Sequence, residues 1–148
     1  MPVEISCKSE YALLALLELA GHYDGGEPLQ IRQIAAEQNI PDRYLEQLLA
    51  TLRRGGIVKS QRGAKGGYIL AREPWKITLL EVMGCLEGLN SNSITEEEAN
   101  PKTLESVVIQ EIWHEARQAA DLVLHNYTLQ NLCDQRSARK QLNLMYYI

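Results

Sequence analysis

Arg43 and Gln47 stand four residues apart, so on a helix they share one face, a turn from each other. A guanidinium offers a planar fork of N–H donors, and a carboxamide offers donor and acceptor side by side. Both match flat, hydrogen-bonding edges. Tyr44 adds a hydroxyl, and Thr51 continues the line of Gln47 by a further turn. Around them lie Arg53, Arg54, Lys59, Arg62, Lys65 and Arg72. The window 43–72 thus holds seven cations against Glu46 alone, a local charge of +6. The whole chain carries −4, so the remainder carries −10. Cations gathered on one face of an acidic protein suit a polyanion, and forked donors suit base edges between rows of phosphates.

Catalytic chemistry has no comparable cluster. His22, His114 and His125 are scattered, and "WHEAR" lacks the second His of a zincin helix. No Ser/His/Asp order stands out, and "RGAKGG" lacks the GK[ST] of a phosphate-binding loop. The sequence reads as a non-enzyme.

The elements that must position the basic window follow from hydrophobic spacing. Ala12, Leu13, Leu16, Leu17 and Ala20 form a helical stripe within 8–23, ended by "DGGEP". A second helix is predicted over 31–38, a short turn at Asn39 and Ile40, and a third helix running to about Arg54. Pro41 suits the first turn of that helix, because its missing N–H would be unpaired there anyway. Gly55 and Gly56 stop it. The period then changes: "IVKSQ" (57–61) and "GYILA" (67–71) read as strands joined by a glycine-rich turn. Helical spacing returns over 77–88, and Cys85 on that helix reads as a small buried hydrophobe.

Segment 89–101 is polar and acidic and reads as a loop. A long helix is expected over about 102–125, with Leu104, Val108, Ile112, Ala116, Ala119 and Val123 on one side. That stripe suits a seam with a second copy of the helix; packing back on its own domain is the alternative. A short helix at 128–135 and a tail at 136–148 complete the chain. The fold class is mainly α with a small two-stranded β-wing. Residues 1–88 form a winged helix-turn-helix domain, with the helix-turn-helix at 31–54 and the wing at 57–71, and 102–135 form the assembly helices.

The implied partner is double-stranded DNA. The third helix enters the major groove with Arg43, Tyr44, Gln47 and Thr51 towards the bases. Arg53, Arg54 and Lys59 meet phosphates, while Arg62 and Lys65 reach from the wing tip into a minor groove. Three widely spaced cysteines, Cys7, Cys85 and Cys133, without CxxC spacing, point to free thiols in a reducing compartment. The N-terminus lacks an apolar signal region, and no apolar run reaches membrane-spanning length, so a cytoplasmic protein without membrane association is expected.

"YLEQLLATLRRGGIVKSQRGAKGGYIL" resembles the central block of the Rrf-two family of bacterial winged-helix transcription regulators. "SEYALLALLELA" and "ITLLEVMGCLEG" are similar to the family's flanking helices, so the likeness spans about Ile5 to Leu132. The resemblance implies base approach by Arg43, Glu46 and Gln47, a wing Arg at Arg62, and dimerisation through the long helix. Several family members hold an iron–sulfur cluster on three closely spaced cysteines in the loop before that helix. Here the loop is "LNSNSITEEEANPK", and the position of a fourth ligand, His in some members, is Gln110. Glu10 falls where some relatives recruit a carboxylate. A loop without thiolates does not hold a cluster in the usual way, so no cofactor is expected. The reading is a homodimeric, sequence-specific regulator on a palindromic operator, with a partner protein or small molecule as its signal. Two alternatives remain at this point: a winged-helix module that binds another protein, and a sensor with unconventional metal ligands.

Overall fold

The structure, a computed structural model, describes residues 5–64, 66–87 and 103–146. Helix α1 (Cys7–Gly21) is capped by Ser6, whose hydroxyl accepts from the Ser9 amide at 3.1 Å. It buries Ala12, Ala15, Leu16 and Leu19. Helix α2 (Ile31–Gln38) ends at Asn39, which adopts φ +55°, a left-handed conformation that Asn tolerates better than most residues. Helix α3 (Asp42–Arg54) follows at once. Pro41 is its N-cap rather than a residue of its first turn. Leu45, Leu48, Leu49 and Leu52 are buried, and Gly56 at φ +78° turns the chain out of the helix.

Strands β1 (Val58–Gln61) and β2 (Gly67–Leu70) pair antiparallel, with Val58 opposite Leu70 and Gln61 opposite Gly67. Both lie within a residue of their expected ends. Leu29 bridges to Tyr68 through N···O distances of 3.0 and 2.8 Å. A Cβ at Gly67 would collide with the Leu29 carbonyl, so glycine permits this approach. The wing is thereby clamped to the segment leading into α2.

After the wing, a 3-10 turn (Pro74–Lys76), not anticipated from the sequence, leads into α4 (Leu79–Glu87). Thr78 and Glu81 cap α4 reciprocally, at 3.2 Å from the Glu81 amide to the Thr78 hydroxyl and 3.4 Å from the Thr78 amide to the Glu81 carboxylate. Helix α5 (Leu104–Asn126) starts at Thr103, whose hydroxyl accepts from the Ser106 amide at 3.1 Å.

Helix α6 (Leu129–Tyr146) departs from expectation. The short helix at 128–135 continues through most of the stretch read as a tail. No Gly or Pro lies between 129 and 146 to stop it. Thr128 and Asn131 start the helix by exchanging bonds at 2.8 and 3.3 Å. The loop at 89–101 falls outside the described residues.

Leu16, Ile34, Leu45, Leu49, Leu52, Ile57, Ile77, Val82 and Leu129 are nearly inaccessible and make one core under α1, α3, α4 and the wing base. An antiparallel bridge between Thr78 and Thr128 ties the α5–α6 junction to it, with Leu79 N–H donating to the Tyr127 carbonyl at 2.9 Å. Cys85 is half-buried against this core rather than fully enclosed, and its thiol donates to the Thr51 carbonyl at 3.4 Å. Among the described residues no helix is long and apolar enough to cross a membrane.

Candidate nucleic-acid interface

The inward face of α3 is leucine and its outward face is polar, so burial of one presents the other. Arg43, Glu46 and Gln47 are exposed, and among the described residues none of their side chains has a hydrogen-bond or ion-pair partner. They are free to meet a ligand without first breaking an internal contact. Tyr44 is half-buried, its ring edge-on to Tyr11 at 5.5 Å and 79°. That contact holds the ring at the base of the polar face.

Thr51 does not extend this face. It is 8% exposed, and its hydroxyl donates to the Gln47 carbonyl at 3.0 Å. A step of four residues drifts 40° around a helix, and here the second step turns Thr51 from solvent into the interior. Its role is structural. Arg54 Nη2 donates to the Thr51 hydroxyl at 3.5 Å, and Arg53 Nη1 reaches Ser60 on β1 at 3.5 Å. Both arginines stay exposed at the end of α3, beside Lys59 on the outward face of β1. Arg62 is exposed at the wing tip, and Lys65 lies outside the described residues.

Two further residues bear on the face. Arg72, counted in the basic window, pairs with Glu81 at 2.8 Å, so its charge is committed within the fold. Arg32, which the window misses, is exposed at the start of α2. It lines a groove with Gln30, Gln61 and Tyr68, between α2 and the wing. Its signal in the sequence was position alone, since α2's first turn flanks the turn into α3, where the first helix of such a motif crosses the backbone.

A helix with an unpaired polar face, a preceding helix across a tight turn, and a basic hairpin clamped beside them define a winged helix-turn-helix DNA-binding protein. The family model described as "Rrf2: Iron-dependent Transcriptional regulator" matches residues 5–135. The chain is 35% identical over 145 residues to the HTH-type transcriptional regulator CymR of Bacillus subtilis, covering 97% of this chain and 99% of that one. IscR of T. potens superposes with a TM-score of 0.75 at 34% identity, over 92% of this chain and 90% of that one. The structure of CymR of B. subtilis, described as the global cysteine regulator, gives 0.72 at 36% identity, over 90% and 98%. This chain belongs to the Rrf2 family and is a DNA-binding transcriptional regulator, not an enzyme.

Proposed function

We propose that the protein acts in the cytoplasm as a homodimer on a palindromic operator, without an iron–sulfur cluster. One observation carries the dimer. Helix α5 has no buried residue, and Leu104, Val107, Val108, Ile109, Ile112, Trp113, Leu122 and Val123 are 37% to 77% exposed. The six residues of the expected seam, Leu104, Val108, Ile112, Ala116, Ala119 and Val123, are all among its exposed positions. The half-buried residues Ser106, Ala120, Asp121 and Leu124 lie on another side, where Arg117 also pairs with Glu87 at 3.4 Å. The two faces are separated by about a third of a turn at ~100° per residue. Packing on its own domain therefore leaves the stripe unused. A continuous apolar face of this length suits a second copy related by a two-fold axis. Such an axis sets two α3 helices against successive major grooves, and two-fold protein symmetry then matches a palindrome.

On DNA, Arg43, Tyr44, Glu46 and Gln47 would read bases, Arg53, Arg54 and Lys59 would bind phosphate, and Arg62 with Lys65 would enter the minor groove. Selection of bound duplexes from a random pool tests this: inverted half-sites are expected, and a single unrepeated site would overturn it.

The family description names iron, so the donor chemistry decides the cofactor reading. The segment before α5 contains no cysteine. Burial pushes the Cys85 thiol up from its ordinary value, opposed by the Gly55 amide and Arg54. Burial likewise raises Cys133, opposed by Arg136. These two lie on α4 and α6 and Cys7 on α1, so the three thiols are not supplied by one closely spaced segment as a cluster loop would supply them. The donor set does not fit a cluster. A small molecule or partner protein supplies the signal in this reading.

A further inference from the structure

Away from the DNA face, α1, α2 and α6 border an open polar cleft of about 480 Å³, lined by Glu18, His22, Gln33, Glu37, Arg136 and Lys140. This volume lies within the range of about 300–1,000 Å³ that small-ligand sites occupy. Arg136 and Lys140 project one turn apart from α6, and like charges at that spacing repel unless an anion lies between them. Lys140 has no ion pair among the described residues.

Arg136 is placed by its surroundings rather than left free in water. Its Nη1 is 3.8 Å from a Glu18 carboxylate that is already bonded by Gln38 Nε2 at 2.5 Å. Its Nη2 passes over Gly21, where a Cβ would stand only 2.9 Å away. The long ion pair leaves guanidinium donors for another acceptor. Across the cleft on α2, Glu37 is exposed and without a partner among the described residues. Gln33 Oε1 accepts from the Gln30 amide at 2.9 Å, which leaves its amino group to donate. His22 Nδ1 is 3.0 Å from the Glu18 carbonyl, so a neutral ring protonated there keeps Nε2 as an acceptor.

A plain anion entering this cleft meets Glu37, and a plain cation meets Arg136 and Lys140. A molecule carrying both charges on a short frame satisfies both walls. We propose that this cleft binds a small zwitterionic metabolite of the α-amino-acid class, its carboxylate on Arg136 and Lys140 and its ammonium on Glu37. Such a ligand bridges α6, which continues the proposed dimer helix, to α2, the first helix of the helix-turn-helix. A ligand that favours one setting of α6 against α2 would in this way change DNA affinity. The binding stands on the cleft alone, and the coupling rests on the operator reading.

The test uses the full chain and a panel of the twenty proteinogenic L-amino acids, with the amine and 2-oxo acid corresponding to each hit. Titration calorimetry should show saturable binding of at least one amino acid, with both one-charge analogues roughly tenfold weaker or worse. Lys140→Ala and Glu37→Gln, both at exposed positions, should each weaken it roughly tenfold. Circular dichroism confirms that these variants fold. The bound amino acid should shift duplex affinity by about fivefold or more in anisotropy titrations. If no panel member binds, or binding survives both substitutions, the site is refuted even where DNA binding is intact. Ligand binding with no change in duplex affinity overturns the coupling. Failure to bind any duplex counts against the operator reading and leaves the calorimetric result decisive for the cleft.

Discussion

Arg72 Nη2 lies 2.8 Å from Glu81 Oε2, and the same carboxylate accepts from the Thr78 amide at 3.4 Å. One cation of the basic window is therefore spent on joining the end of the wing to the start of α4. Arg72→Ala should barely change DNA affinity and should lower stability by about 0–1 kcal/mol, since the pair is roughly 40% exposed and screened. Arg62→Ala should weaken DNA binding by about 1–3 kcal/mol per subunit if it reads the groove. With three or four cations engaged in each of two subunits, log K should fall against log salt with a slope of about −5 to −7. Filter binding across a salt series measures both affinities and the slope, and urea unfolding measures the stability. An Arg72 effect as large as that of Arg62 would contradict the assignment.

Gln47 and Thr51 make the sharpest contrast on α3. Gln47→Ala should reduce operator affinity and leave stability within about 0.5 kcal/mol, as expected for an exposed side chain. Thr51→Ala removes a buried hydroxyl bonded to the Gln47 carbonyl and should lower stability by about 1 kcal/mol, with operator affinity kept. Urea unfolding and anisotropy, run on both variants, separate the roles. The reverse result would put Thr51 back at the interface.

These particulars show where the sequence was legible. The leucines of α3 and the stripe of α5 repeat at helical spacing, so their inward or lateral faces are written in the periodicity. Counting i, i+4 sets Thr51 on the polar face because it ignores the 40° drift that accumulates over two steps. The helical stretch to Tyr146 is not legible in the sequence because its polar composition has weak periodicity, and its start depends on a Thr128–Asn131 exchange visible only in three dimensions. Arg32 does not stand out in the sequence because it lies outside the dense charge run and meets the wing only through folding. The Arg72–Glu81 pair was invisible for the same reason. A charge count does not record which charges find partners.

Assembly should respond to a single charge. Ile112 is 57% exposed at the centre of α5, so Ile112→Glu has no core to disrupt within one chain. In a seam it would place two carboxylates close together in an apolar setting, which opposes association strongly. Light scattering should show the variant shifted to monomer, with circular dichroism unchanged and operator binding weakened. A wild-type protein that is monomeric at micromolar concentration would exclude the homodimer.

Thiol titration gives a pH signature. Cys85 and Cys133 have pKa values raised above the ordinary 9.0, chiefly by burial. In the unfolded chain both lose their protons near 9.0, while in the folded chain they keep them to higher pH. The folded state then binds more protons in that window, so their contribution is complete below 9.0 and is lost as pH rises through the folded values. Replacing both with Ala should lower stability at neutral pH and flatten the alkaline decline relative to wild type. Thermal melts of the two proteins on either side of that pH compare the slopes, and parallel curves would refute the shift.

Iron content tests the cofactor reading most directly. The segment before α5 includes "LNSNSITEEEANPK" and holds no cysteine, and oxygen and nitrogen donors there do not replace the thiolates that hold cluster irons. Cys85 is engaged with the Thr51 carbonyl at 3.4 Å, so recruiting it as a ligand would break the contact that seats α4 on α3. Protein purified without oxygen should be colourless, contain iron and sulfide only at background, and bind operator equally before and after chelator treatment. Cys85→Ala should reduce stability while leaving operator affinity unchanged. Stoichiometric iron and sulfide with visible charge-transfer absorption would overturn the reading, and loss of that absorption in Cys7→Ser, Cys85→Ala or Cys133→Ala would then identify the ligands.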